Sequence, residues 1–292
     1  MTKMSSRVSG LYLAMAAIVL VTAANAPVSQ AEEINKTFSV TGHAKVRIQT
    51  DDGAVRVSTG DIKQVEIHVV YSGYKLDRDL HVTTAQNGDS VEVEAKTGNR
   101  WNFNWGSRHT QLRVEVHMPK DADLDVTAGD GSVEAASIYG TLEIRTGDGS
   151  ISIQDAKGDI RLRAGDGSIE GRGLDGKVDA STGDGNINLE GRFDSLNIKS
   201  GDGSVTARAN GGSQVLGAWN IHTGDGSVDL ELPGQMQANI DASTHDGHIS
   251  LDIPVTVEGT FSSSRVNGKM NGGGSPIVVR TGDGSIHLNK SS

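Results

Sequence analysis

The sequence predicts an all-β fold: a single-stranded parallel β-solenoid with 18-residue coils and Gly-Asp-Gly turns. Three observations lead there. Gly-Asp-Gly recurs around Asp130, Asp148, Asp166, Asp184 and Asp202 at equal intervals of 18, then around Asp225 and Asp283, with the variant His245-Asp246-Gly247 between them. A fixed period near 20 residues is the signature of stacked repeats. The residue two places after each tripeptide is β-branched and aliphatic, namely Val133, Ile151, Ile169, Ile187, Val205, Val228, Ile249 and Ile286, with polar residues alternating after it. A period of two marks a strand with one buried face. Upstream, pairs such as Leu142/Ile144, Ile160/Leu162 and Leu196/Ile198 mark a second strand with charged outward neighbours. An antiparallel meander of hairpins with Asp-Gly type I′ turns uses the same unit. The constant residue type at each repeat position favours parallel stacking, which sets like side chains over one another in aliphatic ladders.

Taken in chain order, the first element is an export signal. Lys3 and Arg7 precede the apolar run Leu11–Val21, and Ser29-Gln30-Ala31 has the small-residue form of a cleavage site. The run is short for a membrane-spanning helix, so residues 1–31 are expected to be removed and no stable span to remain. Cleavage removes two cations and no acid, taking the formal charge from −10 to −12. Residues 32–118 lack the period but alternate strongly, as in Ala44–Ile48, Val65–Val69 and Leu112–Val116, and Asp51-Asp52-Gly53 reads as a degenerate early turn. They are expected to form irregular first coils that cap the stack. Residues 119–292 form the regular array. Its late intervals of 23, 21 and 37 predict loops leaving the coil on its return side, the longest at Pro254–Pro276. Inserted loops on a rigid scaffold are where binding tends to sit.

Composition narrows the function. The chain has 292 residues, 38 Gly, 4% aromatics and no Cys, which removes disulfides, thiolate nucleophiles and Cys-ligated metal centres. An acidic chain without basic clusters is a poor nucleic-acid partner, since neutralising phosphates takes several cations on one face. No nucleotide fingerprint or Ser–His–Asp order stands out, and strands rather than helices follow the glycines.

Three constellations remain. Stacking would line up Asp130, Asp148, Asp166, Asp184 and Asp202, a column that could hold Ca²⁺; the preferred reading is that each Asp caps its own turn through its side chain while the glycines supply positive φ. No other cofactor is expected. Trp101, Phe103 and Trp105 alternate, so their rings would share one face of an extended strand. They are the partner-binding candidate, with capping of the core as the simpler role. His245 and His248 straddle a turn and read as a substituted turn. An alternative enzymatic reading, a carbohydrate-active β-helix, would need outer-face acids such as Glu170, Asp175 and Asp179 to converge.

The export signal, the β-rich N-terminal segment, the tandem Gly-Asp-Gly turns and the closing stretch from Phe261 through Asn271-Gly272-Gly273-Gly274 to Leu288 together resemble the bacterial putative-adhesin family of β-strand repeat proteins. That resemblance implies a right-handed β-helix-like fold in the cell envelope and no catalytic residues. The expectation is an exported protein, in the periplasm, at the cell surface or secreted. It would act without catalysis as an adhesin-like or envelope scaffold. Its partner would be an envelope protein or glycan, and its open coil ends could pair into oligomers.

Overall fold

The computed structural model describes residues 31–98, 110–257 and 262–291, which belong to one compact unit, Ala31–Ser292. The expected signal peptide up to Gln30 and the trio Trp101, Phe103 and Trp105 lie outside the described residues. The N-terminal strands are β1 (Glu32–Ser39), β2 (Ala44–Thr50), β3 (Ala54–Gly60), β4 (Gln64–Ser72), β5 (Leu80–Asn87), β6 (Ser90–Thr97) and β7 (Gln111–Pro119). The regular array is β8 (Ala122–Ala128), β9 (Val133–Ala136), β10 (Tyr139–Thr146), β11 (Ile151–Gln154), β12 (Lys157–Ala164), β13 (Ile169–Thr182), β14 (Ile187–Ser200), β15 (Val205–Ala209), β16 (Trp219–Thr223) and β17 (Val228–Pro233). The last part is β18 (Ala238–Thr244), β19 (Ile249–Asp252), β20 (Val255–Val257), β21 (Arg265–Met270), β22 (Pro276–Thr281) and β23 (Ile286–Ser291). All belong to one sheet, and no helix occurs among the described residues.

The class is all-β. Pairing through the array is parallel, offset by 18 residues from β8 to most of β14 and by 23 from β14 and β15 to β16 and β17: Leu142 lies between Leu124 and Ile160, and Ile151 between Val133 and Ile169. The aliphatic column runs Val133, Ile151, Ile169, Ile187, Val205, Val228, Ile286, Ile249, every member buried. Each such side chain contributes roughly 1.5–3 kcal/mol of burial. Elsewhere in the core the fully buried Phe193 of β14 and Trp219 of β16 pack edge to face, ring centroids 6.0 Å apart.

The order of layers departs from the chain order at both ends. The last Gly-Asp-Gly layer, β22–β23, does not sit on top. It lies between β16–β17 and β18–β19: β16 pairs with β22, and β22 with β18. The stretch Pro254–Pro276, expected as a loop on the return side, instead carries β20 and β21. β21 runs antiparallel along β18 and closes its edge. The N-terminal end uses the same device. β2 lies between β6 and β8, and β3 between β7 and β9, while β4 and β5 run antiparallel on β7 and β6. Each terminal region therefore lays down a layer, places antiparallel strands outside it, and returns to fill the gap. An unpaired parallel edge is a template for aggregation, and antiparallel strands over it supply the missing partners.

The role of the glycines also differs from expectation. None of the Gly-Asp-Gly glycines has positive φ. What they permit is close approach. A methyl group on Gly149, Gly167, Gly185 or Gly203 would stand 2.2, 2.1, 2.2 and 1.9 Å from the carbonyl oxygen of the equivalent glycine one layer below. The order of these contacts, Gly226 on Gly203, Gly284 on Gly226 and Gly247 on Gly284, confirms the inserted last layer. A second column, Gly140, Gly158 and Gly176, repeats the device at the return corner.

Gly185→Ala is expected to lower the free energy of unfolding by about 3 kcal/mol, because the stacked backbones on either side must part. Gly211→Ala, in open space, is expected to change it by less than about 0.5 kcal/mol. Urea unfolding of the two variants checks this.

Candidate binding faces and turn edge

Three surfaces follow from the stack: a turn edge and two outward faces. At the turn edge, the amide of each first glycine donates to the first glycine below, as in Gly165 to Gly147 and Gly201 to Gly183, both at 2.7 Å. The residue preceding the tripeptide is a buried Thr or Ser in most layers. Its hydroxyl donates to the second glycine's carbonyl one layer down: Thr182 to Gly167 at 2.8 Å, Ser200 to Gly185 at 3.1 Å, Thr223 to Gly203, Thr281 to Gly226 and Thr244 to Gly284 at 2.7 Å. This ladder was not anticipated from sequence, although the Thr or Ser before most of the turns, with Ala128 and Ala164 as exceptions, is its signal.

Asp130, Asp148, Asp166, Asp184 and Asp202 do form one exposed column. Their carboxylates accept no hydrogen bond in the turns, so the expected side-chain cap is absent; the buried hydroxyls take that role. Among the described residues no three or more His, Asp or Glu side chains come together as a metal centre.

The first outward face belongs to β2, β8, β10, β12, the second halves of β13 and β14, β16, β22 and β18. Half of it is a continuous ion network. Arg47 meets Asp125 at 3.3 Å, Asp125 meets Arg145 at 3.5 Å, and Arg145 pairs with Glu143. Glu143 meets Arg163 at 3.5 Å, Arg163 meets Asp179 at 4.0 Å, and Asn197 donates to Asp179 at 2.9 Å. Beyond Asn197 the network stops. Lys199 and His222 are adjacent in register and exposed, with no carboxylate partner, until Arg280 pairs with Asp241. Arg145, Arg163, Lys199, His222 and Arg280 thus share one row along the stack, broken only by Ser181.

The second face carries more acid. Arg56 meets Glu134 at 2.8 Å, and Arg208 bridges Glu231 at 2.6 Å and Glu190 at 3.6 Å. At the return corner Arg192 holds Asp175 at 2.5 Å and Asp194 at 2.6 Å. Glu170 is on the second face, Asp175 at the corner and Asp179 on the first face. These three acids, the examples offered by the sequence for a carbohydrate-active site, therefore do not share one face.

An open groove of about 330 Å³ near the N-terminal end is lined by Arg56, Ser58, Glu66, His68, Glu115 and His117 among others. Ser58 Oγ is 2.9 Å from His117 Nδ1. No acid engages the far nitrogen of that imidazole, so the pair lacks the orienting member of a nucleophilic triad. His68 instead ties neighbouring strands together, 3.3 Å from both Glu33 and Glu115. No helix among the described residues is long and apolar enough to cross a membrane.

Fold and surfaces define a class: an all-β stack with open polar faces and capped ends. The chain belongs to the Toastrack DUF4097 family, whose pattern it matches over residues 43–289. Its fold is similar to that of a Parabacteroides distasonis protein described as a putative lipid binding protein, with 16% identity, TM-score 0.50, and coverage of 89% of this chain and 97% of that one. A putative adhesin from Bacteroides fragilis matches with 11% identity, TM-score 0.49, and coverage of 88% and 97%. No curated protein sequence matches the chain.

The corner and second-face pairs set an acid limit. Hydrogen bonding to Arg192 holds the Asp194 carboxyl below its ordinary range, and Arg208 does the same for Glu231. A carboxyl depressed in the folded state adds stability above its unfolded pKa, about 4, and loses it as pH falls through the lower folded value. Stability is therefore expected to fall below about pH 4, with a shallower fall in the Asp194→Asn, Glu231→Gln double variant. Thermal midpoints of both proteins at pH 7 and pH 3 check this.

Proposed function

We propose that the protein is exported after cleavage near Ala31 and works without catalysis, as an adhesin-like or cell-envelope binding scaffold that presents rigid β-ladder faces. The stack is best read as a right-handed β-solenoid, with residues 32–118 as its N-terminal cap and first coils and residues 119–292 as its regular array. The observation that carries this reading is the row Arg145, Arg163, Lys199, His222 and Arg280 on a face whose other charges are largely paired off. Two of its members, Lys199 and His222, are unpartnered in a chain of net charge −10. Layers about 4.8 Å apart make it a straight strip of four cations and one imidazole suited to an extended anionic chain. Ser181 within the strip and Asn197 and Asn220 beside it offer hydrogen bonds to hydroxyls, which favours an acidic envelope glycan. The absence of interleaved aromatic side chains along the strip disfavours single-stranded nucleic acid.

The test is co-sedimentation of the mature chain with isolated cell envelopes and with purified acidic and neutral polysaccharides. Saturable, salt-sensitive binding that weakens at least about tenfold in Lys199→Glu, His222→Glu is expected, since each lost contact costs about 1 kcal/mol and each introduced repulsion adds to it. Binding unchanged in that variant but lost when Trp101, Phe103 and Trp105 are replaced by Ala would move the site to the aromatic segment. No saturable binding to any envelope fraction would overturn the reading.

A further inference from the structure

The inserted last layer creates a juxtaposition that chain order conceals. His248 follows an irregular turn, where His245-Asp246-Gly247-His248 stands in place of Gly-Asp-Gly-Ser. β23, from the far side of a 37-residue interval, slides in beside β19, pairing Ile249 with Ile286 and Ser250 with His287. Residues 248 and 250 on one strand and 285 and 287 on the other therefore form an outward two-by-two patch with the histidines on its diagonal. The two imidazoles lie edge to face, centroids 5.8 Å apart and planes at 80°. Their hydrogen bonds are reciprocal: His248 Nδ1 is 3.0 Å from Ser285 Oγ, and His287 Nδ1 is 2.6 Å from Ser250 Oγ. Each ring is fixed by a serine on the opposite strand.

We propose that His248 and His287 form a binding site for an imidazole-preferring divalent transition metal, Zn²⁺ or Cu²⁺ in class, held by two protein nitrogens with water completing its coordination. When Nδ1–H donates to the serine oxygen, the lone pair resides on Nε2, which the serine leaves free. A hydrogen bond from the second ring nitrogen is the usual means of orienting a ligating histidine. Imidazole suits Zn²⁺ and Cu²⁺, whereas Ca²⁺ requires oxygen donors. Asp229, in register with His287, and the exposed Asp246 and Asp283 in the adjoining turns add a negative field that draws cations to this corner. Both histidines are accessible, His248 exposed and His287 half-buried. Bridging β19 to β23, the metal would pin the outermost parallel layer to the inserted one.

Isothermal titration of the mature chain with Zn²⁺ tests the site, alongside Cu²⁺ broadening of histidine ring signals in proton spectra. One equivalent is expected to bind, with His248 and His287 broadened first. His248→Gln and His287→Gln should each weaken binding at least about tenfold, and Ser250→Ala, which frees a ring without removing a ligand, by a smaller factor. His245→Gln and excess Ca²⁺ should leave it within about twofold, as neither touches the proposed donors. Circular dichroism confirms that each variant is folded. Zn²⁺ affinity unchanged in both His248→Gln and His287→Gln, equal broadening of every exposed histidine, or no binding at ~1 mM Zn²⁺ would overturn the proposal.

Discussion

The structure rests on backbone-to-backbone contact at the turn edge. Each layer's turn lies directly against the next, so closely that the carbonyl of one glycine occupies the space a Cβ on the next would need. That approach lets turn amides join a ladder of hydrogen bonds as regular as those of the strands, and it brings a buried hydroxyl within reach of the second glycine's carbonyl. Buried polar backbone is costly when unpaired. Here both carbonyls find donors, one an amide and the other, in most layers, a hydroxyl. With the turns locked at the layer spacing, the strands on both sides are held in register and the aliphatic columns follow.

The same geometry leaves the aspartates outside. Aspartate between the two glycines projects into solvent, and the layers repeat it into a line of like charge. The neighbouring row answers it: Arg145, Arg163, Lys199, His222 and Arg280 each stand three residues before a turn aspartate. Opposed rows of charge along a rigid axis offset the repulsion at modest cost, since exposed pairs contribute little individually. They also give the molecule directional faces, one edge anionic and one strip cationic, which a globular surface of the same composition would not have.

Much of this was legible in the sequence. The period of 18, the β-branched column at Ile151, Ile169 and Ile187 and the degenerate turn at Asp51-Asp52-Gly53 all came from spacing and alternation, which depend on local geometry. The misreadings concern what local geometry does not encode. The glycines of the tripeptide look like positive-φ residues in isolation, because their need for space arises only when another layer arrives. Pro254–Pro276 looks like a loop because its Ser, Gly and Asn content masks Arg265–Met270, a strand whose partner, β18, makes it one. The insertion of Ile286–Ser291 beneath Ile249–Asp252 has no signature at all in spacing, and His287 beside His248 could be seen only in three dimensions. The Thr and Ser before most of the Gly-Asp-Gly turns were visible, yet their role required the layer below.

Hydrogen exchange at the turn glycines tests the central claim most directly. The amides of Gly165, Gly183 and Gly201 sit beside exposed aspartates, where an ordinary surface turn exchanges quickly. Because each donates to the layer beneath, they are expected to exchange as slowly as the core strand amides of Ile151 and Ile169, opening only with the stack. Exchange as fast as that of Gly211 would mean that the turns are not stacked on one another, and the account of what holds the fold together would fail.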